Sequence, residues 1–137
     1  MLNTWIKMSR SLETVHQQIR GSYEEAGLTE SQFGVLEMLL HLGPLHQRDL
    51  ARKHLVTGGN MTLVVNNLER DGHVERRVDP QDRRANLVDL TPAGRQLIER
   101  VFRNHLAKLM EAFAVLDAQE QGALEVLCRK LGKRTNE

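Results

Sequence analysis

Between Thr57 and Arg84 the chain reads TGGNMTLVVNNLERDGHVERRVDPQDRR, a stretch that admits few folds. Met61, Val64, Val65 and Leu68 recur at the 3.6-residue period of one helical face. Thr57 is placed to cap that helix by accepting a backbone N–H. Asp71-Gly72 is placed to end it, glycine supplying the left-handed residue after the last turn. The opposite face carries Gly59, Leu63, Asn66 and Arg70, flanked by Asn60, Thr62 and Asn67. It is almost free of acid and rich in groups that hydrogen-bond base edges, and Leu63 suits a thymine methyl. A strand and a basic loop follow directly. Taken alone, the stretch is equally a DNA reader or a solvated amphipathic helix before a surface hairpin.

The flanks narrow the choice. Thr29-Glu30-Ser31-Gln32 is a capping-box pattern. It opens a helix that turns Phe33, Leu36, Leu39 and Leu40 inward and stops at Gly43-Pro44. A short helix from about Gln47 to His54 follows, with Leu50, Ala51 and Leu55 as its apolar contacts, then a turn at Val56-Thr57. Two short helices joined by a tight turn, the second with a polar outer face, make a helix-turn-helix. In that motif the first helix crosses the DNA backbone and the second enters the major groove. His73 to Val78 alternates, with Val74, Arg76 and Val78 on one side and Glu75 and Arg77 on the other. Asn86 to Leu90 is a second strand, with Val88 and Leu90 on one face. Pro80 and two aspartates favour a turn between them, so the strands form a β-hairpin with a long tip, a wing. Thr91-Pro92 caps and starts the next helix.

Helices from both ends of the chain flank this unit. Residues 2–25 place Leu2, Trp5, Ile6, Leu12, Val15, Ile19 and Tyr23 at three- and four-residue steps, with a stop at Ala26-Gly27. A long helix over about 92–115 carries an apolar set wider than one stripe, which predicts contact on two sides. Asp117 with Glu120 caps a last helix, where Leu124, Leu127 and Leu131 lie in line. The 137 residues are expected to form one domain, mainly α with a small β-hairpin wing. A net charge of +1 does not announce a nucleic-acid binder, so any such role rests on local arrangement. No apolar run reaches membrane-spanning length, and the start MLNTWIKMSRSLE lacks an apolar signal core, which predicts a cytoplasmic protein without membrane attachment. No Ser-His-Asp order, phosphate loop or paired-carboxylate motif survives inspection, so no enzymatic activity is expected.

Three strings carry a resemblance: Leu68-Glu-Arg-Asp-Gly72-His-Val-Glu-Arg76, Asp79-x-x-Asp82-Arg83-Arg84-Ala85, and Val88-x-Leu90-Thr91-x-x-Gly94. With the helix order around them, they resemble the MarR (multiple antibiotic resistance regulator) family of winged helix-turn-helix proteins. The resemblance implies a transcriptional regulator that binds double-stranded DNA as a homodimer, in this family most often a repressor on a palindromic operator released by a small effector. It implies dimerisation helices at 1–25 and 95–135 and a DNA-binding lobe at 30–91, all within a single MarR-type domain over 1–137. It also places Arg84 in the minor groove, with Asp82 holding it in position, and Arg83 against a phosphate. Gln47, Arg48 and Thr57 are further backbone-contact candidates, as are Arg76 and Arg77, Arg76 having the alternative of pointing into the lobe. Gly58 and Gly59 let the backbone approach a phosphate closely. Asn60, Thr62, Leu63 and Asn66 are the base-edge candidates. The two glycines depart from the Ser/Thr-rich start common in the family, which favours shape readout over direct readout.

Other readings of the fold stay open: a winged-helix module for protein contact, or a redox- or zinc-responsive regulator. Glu37 and His41 are four apart on one helix and His105 approaches from another, yet two ligands on one helical face do not make a zinc site, so no metal or cofactor is expected. The single cysteine, Cys128, excludes an intramolecular disulfide and is expected to be an inert small hydrophobe, despite Arg129 and Lys130 beside it. Peroxide-sensing relatives carry their reactive cysteine in the first helix, where this chain has none. The resemblance implies a cleft for a small aromatic or phenolic effector between the dimer helices and the lobe. Trp5, His16, Tyr23, Glu37, Met38 and Phe102 are the candidates to line it, each with plain core packing as the alternative.

Overall fold

Local sequence signals set most of the helix ends in the computed structural model, which describes residues 1–54 and 58–133. In chain order the elements are α1 (Leu2–Ile19), α2 (Gly21–Glu24), α3 (Glu30–Leu42), β1 (Leu45–His46), α4 (Gln47–His54), α5 (Gly58–Arg70), β2 (Val74–Val78), β3 (Asn86–Leu90), α6 (Pro92–Phe113) and α7 (Ala118–Gly132). At α3 the capping box is complete. The Thr29 hydroxyl accepts from the Gln32 N–H at 3.1 Å, and the Gln32 side chain accepts from the Thr29 N–H at 3.0 Å. Asp117 and Glu120 repeat the device at α7, with bonds of 2.8 and 2.9 Å. Gly27, Gly43 and Gly72 follow helices with φ near +75° to +78°. Gly72 lets His73 N–H return to the Leu68 carbonyl at 2.9 Å, so the chain leaves α5 straight into β2.

The chain forms two compact units, Arg20–His105 and Met1–Ile19 with Leu106–Glu137. The first is the winged lobe. Leu36, Leu39, Leu50, Met61, Leu68 and Ile98 are fully buried at its centre, each contributing about 1.5–3 kcal/mol of hydrophobic stabilisation. Two expectations change here. The helix predicted over 2–25 is broken at Arg20 into α1 and α2. The break lets α2 close on itself, Leu28 N–H donating to the Tyr23 carbonyl at 3.0 Å, and stacks Tyr23 on Phe33 at 5.3 Å. The predicted two-stranded hairpin is a three-stranded antiparallel sheet of order β1-β3-β2, with Leu45 opposite Val88 and Arg76 opposite Val88 on the other side. β1 covers the outer edge of β3, whose N–H and C=O groups would otherwise be unpaired. Val78, on the same side of the strand as the buried Val74, is 56 % exposed, because burial fades along β2 from its base to the tip.

His105, on the lobe's part of α6, lies 4.6 Å from the Phe33 ring and shares a hydrogen bond of 3.1 Å between its Nδ1 and the Ser22 hydroxyl. Burial pushes its pKa below the ordinary 6.5, against a smaller upward pull from Glu37. The unfolded chain therefore takes up this proton more readily. The stability is fully present above about pH 6.5 and is lost as pH falls through the lower folded value. The melting temperature of the wild type should fall more steeply from about pH 7 to about pH 5 than that of His105→Gln. Parallel slopes in the two proteins would contradict this.

In the other unit, α1 and α7 bury no residue. Their apolar side chains are open: Trp5 is 60 % exposed, Leu12 57 %, Leu127 62 % and Leu131 70 %. The Gln121 amide closes the α6–α7 turn by donating to the Phe113 and Leu116 carbonyls. Among the described residues no helix is long and apolar enough to cross a membrane.

Candidate nucleic-acid interface

The helix α5 buries Met61, Val65 and Leu68 completely in the lobe, which turns the opposite face outward. Asn60, Thr62 and Asn66 are exposed there, and Leu63 is 60 % exposed. Gly58 and Gly59 form the first turn of α5. The expected cap Thr57, like Leu55 and Val56, lies outside the described residues. An exposed leucine among amides and a hydroxyl is a surface that can take both a base-edge hydrogen bond and a methyl contact.

Behind this face runs a polar network centred on Arg76 of β2. Its Nη1 donates to Glu69 Oε1 at 2.9 Å, and its Nη2 donates to Asn66 Oδ1 at 2.7 Å and to Gln47 Oε1 at 3.2 Å. The Arg76 backbone N–H also donates to Glu69 Oε2 at 3.2 Å. Gln47 Nε2 in turn donates to the Thr62 hydroxyl at 2.7 Å. Of the two readings for Arg76, this geometry favours the inward one: the side chain ties α4, α5 and β2 together. Gln47, another backbone-contact candidate, uses both ends of its amide in the same network. Arg77 is paired with Asp89 at 3.1 Å across the hairpin.

The wing is held at its base and at its tip. His46 Nε2 meets Asp79 Oδ2 at 3.0 Å, while Asp79 N–H donates to the Ala85 carbonyl at 3.1 Å and Asp79 Oδ1 accepts from the Gln81 N–H at 2.9 Å. Asp82 accepts from the Arg84 backbone N–H at 3.1 Å. The aspartate thus positions the arginine through its main chain, leaving the guanidinium outside any ion pair. Arg83 and Arg84 at the tip and Arg48 on α4 are exposed, and among the described residues their side chains make no hydrogen bond or ion pair. At the far end of the hairpin, Thr91 N–H donates to the His73 carbonyl at 3.1 Å and its hydroxyl donates to the Gly72 carbonyl at 2.6 Å. The same oxygen accepts from the Gly94 N–H at 3.0 Å, capping α6. Glu69 and the pairing of His46 with Asp79 were invisible to sequence reasoning, since each depends on partners from separate elements.

The effector-cleft candidates divide between the two units. Trp5 and His16 are exposed on α1. Tyr23 belongs to the lobe core, and Met38 and Phe102 pack against it, with Glu37 half-buried on α3. His41 stands edge-on to Phe102 at 4.7 Å, and His105 is engaged by Ser22. Cys128 is exposed on α7, not packed as expected, because α7 has no buried face.

The MarR family model matches residues 26–85, the segment holding α3 to the wing tip. The chain is 30 % identical to the helix-turn-helix-type transcriptional regulator YkoM of Bacillus subtilis over 131 residues, covering 96 % of this chain and 85 % of that one. It is similar to the structure of Bordetella bronchiseptica BpsR, whose DNA binding is regulated by 6-hydroxynicotinic acid, with TM-score 0.81, 26 % identity, and 93 % and 91 % of the two chains covered. In fold it is similar to Sco3205 of Streptomyces coelicolor, a MarR family regulator in complex with DNA, with TM-score 0.86, 22 % identity, and 95 % and 84 % covered.

Proposed function

The chain belongs to the MarR family of winged-helix transcriptional regulators, and on that premise we propose that it binds a palindromic operator as a cytoplasmic homodimer and represses transcription. The observation that carries the reading is the exposed amide-rich face of α5 together with three exposed arginines on α4 and the wing tip, Arg48, Arg83 and Arg84, which have no partner among the described residues. Arginines without a protein partner are free to neutralise phosphates or enter a groove. Arg84, Arg83 and Arg48 are the wing and backbone contacts in this reading; Asn60, Thr62, Leu63 and Asn66 face bases, and Gly58 and Gly59 approach a phosphate. Gln47 and Arg76 hold the reading face in shape.

The dimer is supported by the open apolar sides of α1 and α7, where Trp5, Leu12, Leu127 and Leu131 are exposed. A second copy of the chain supplies that cover in a two-fold arrangement. Two recognition helices then sit one turn of DNA apart, about 34 Å, which is why the operator is a palindrome. BpsR responds to a hydroxylated pyridine carboxylate. By that likeness the effector here is a small aromatic anion that weakens operator affinity.

The test is a fluorescence titration against palindrome-containing duplex from upstream of the protein's own gene, over a range of salt. The logarithm of affinity should fall with the logarithm of salt by about 0.9 per phosphate neutralised. A slope near zero overturns the reading and favours a protein-contact module. Sedimentation should return a dimer at the concentrations used.

A further inference from the structure

We propose that Asn66 reads a guanine and that Arg76 forces that choice, an inference that rests on the DNA-binding function proposed above. A guanidinium has only donors. The short contact of 2.7 Å from Arg76 Nη2 to the Asn66 amide is therefore made to the oxygen, whichever way the amide would otherwise turn. The guanidinium is itself fixed by Glu69 at 2.9 Å and by Gln47 at 3.2 Å. Gln47 cannot release it to take a different partner, because its own nitrogen is bonded to Thr62 at 2.7 Å.

The consequence is an asparagine with one chemical character outward. Asn66 is exposed, its oxygen faces back toward β2, and its amide nitrogen has no partner among the described residues. Its free edge offers donors. An unrestrained asparagine pairs with adenine by donating to N7 and accepting from N6. Here an approaching adenine amine would have to reach the remaining lone pair of Oδ1 alongside the hydrogens of a cationic donor. Guanine presents N7 and O6, two acceptors side by side in the major groove, and no donor. Thymine presents one acceptor beside a methyl, and cytosine presents a donor. The donor edge of Asn66 therefore ranks guanine first. Arg76 is a positioning residue in this scheme, and Asn66 is the side chain that touches the base.

The experiment is selection of bound duplexes from a random-sequence pool by the full-length wild type, Asn66→Ala and Arg76→Met. The wild type should enrich guanine at one symmetry-related position of each half-site. Asn66→Ala should erase that preference alone, a loss of roughly 5- to 150-fold in discrimination there, with other positions unchanged. Arg76→Met, which frees the amide to rotate, should admit adenine at the same position. A purely structural Arg76 would lower affinity for all sequences together and leave the chosen base the same. If Arg76→Met does not fold, Asn66→Ala, at an exposed position, carries the test. The proposal is overturned if Asn66→Ala erases no preference, or if the preference it erases is for adenine. Absence of any enriched sequence for the wild type, together with a flat salt response, overturns the DNA-binding function itself.

Discussion

Replacing Gly94 with alanine should destabilise the winged lobe by about 4–6 kcal/mol, a large part of the roughly 5–15 kcal/mol available to a domain. A Cβ at this position would lie 1.8 Å from the His73 carbonyl oxygen and 2.7 Å from its carbon. Both are backbone atoms, so no rotamer change relieves the clash. The first turn of α6 would have to withdraw, and three hydrogen bonds would go with it: Thr91 N–H to His73, Thr91 hydroxyl to Gly72, and Gly94 N–H to Thr91. Overpacking of this kind costs about 1–3 kcal/mol and each lost bond about 1 kcal/mol. Gly122→Ala is the internal control. It sits on α7 where an added Cβ meets nothing, and should be neutral or stabilising by up to about 1 kcal/mol. Urea unfolding of the two variants distinguishes them, and a Gly94→Ala midpoint equal to that of Gly122→Ala would refute the close approach.

Arg84→Ala should weaken operator binding by about 5- to 150-fold and lower the salt slope by about 1. The side chain is exposed and has no partner among the described residues, and its main chain is braced by Asp82, so little ordering is needed to present it. A narrow A·T-rich minor groove concentrates negative potential and favours an inserted guanidinium. The loss should accordingly be greatest on operators that are A·T-rich beneath the wing. Arg83→Ala, acting at a phosphate, should weaken all sequences alike. Fluorescence titration on matched duplexes measures both, and unchanged binding by Arg84→Ala would refute the assignment of the wing.

What the sequence revealed was what local chemistry decides. The capping boxes at Thr29 and Asp117 lie within four consecutive residues each, and both form as read. The helix at Gln47–His54 and the strands on either side of the wing tip were equally legible, because periodicity of two or 3.6 is a local property. β1 was not. Two residues carry no alternation, and Leu45–His46 becomes a strand only when Leu87 and Val88 arrive beside it. The break at Arg20 escaped for a related reason, since Tyr23 keeps helical spacing with α1 while its ring is claimed by Phe33. In the candidate site, the arginines of the tip could be named from their motif. Alternation put Arg76 and Arg77 on opposite faces and left Arg76 two readings, and only the convergence of Glu69, Asn66 and Gln47 from other elements favours the inward one. Gly94 stood in a string that carries the family resemblance, but the reason a glycine is needed there was not legible, because the constraint comes from His73, across the whole hairpin.

The tethers at the two ends of that hairpin also decide where entropy is lost on contact with a ligand. Thr91 joins its exit to its entry at Gly72, and His46 grips Asp79 where the ladder ends. Only the segment from Pro80 to Arg84 lies beyond these ties, and Asp79 and Asp82 already bond its backbone at Gln81 and Arg84. Freezing a free backbone costs about 1–2 kcal/mol per residue. A long flexible arm would surrender that at every position on docking. This wing surrenders it over a few residues at most, so the attraction of its arginines is left nearly whole to hold the partner.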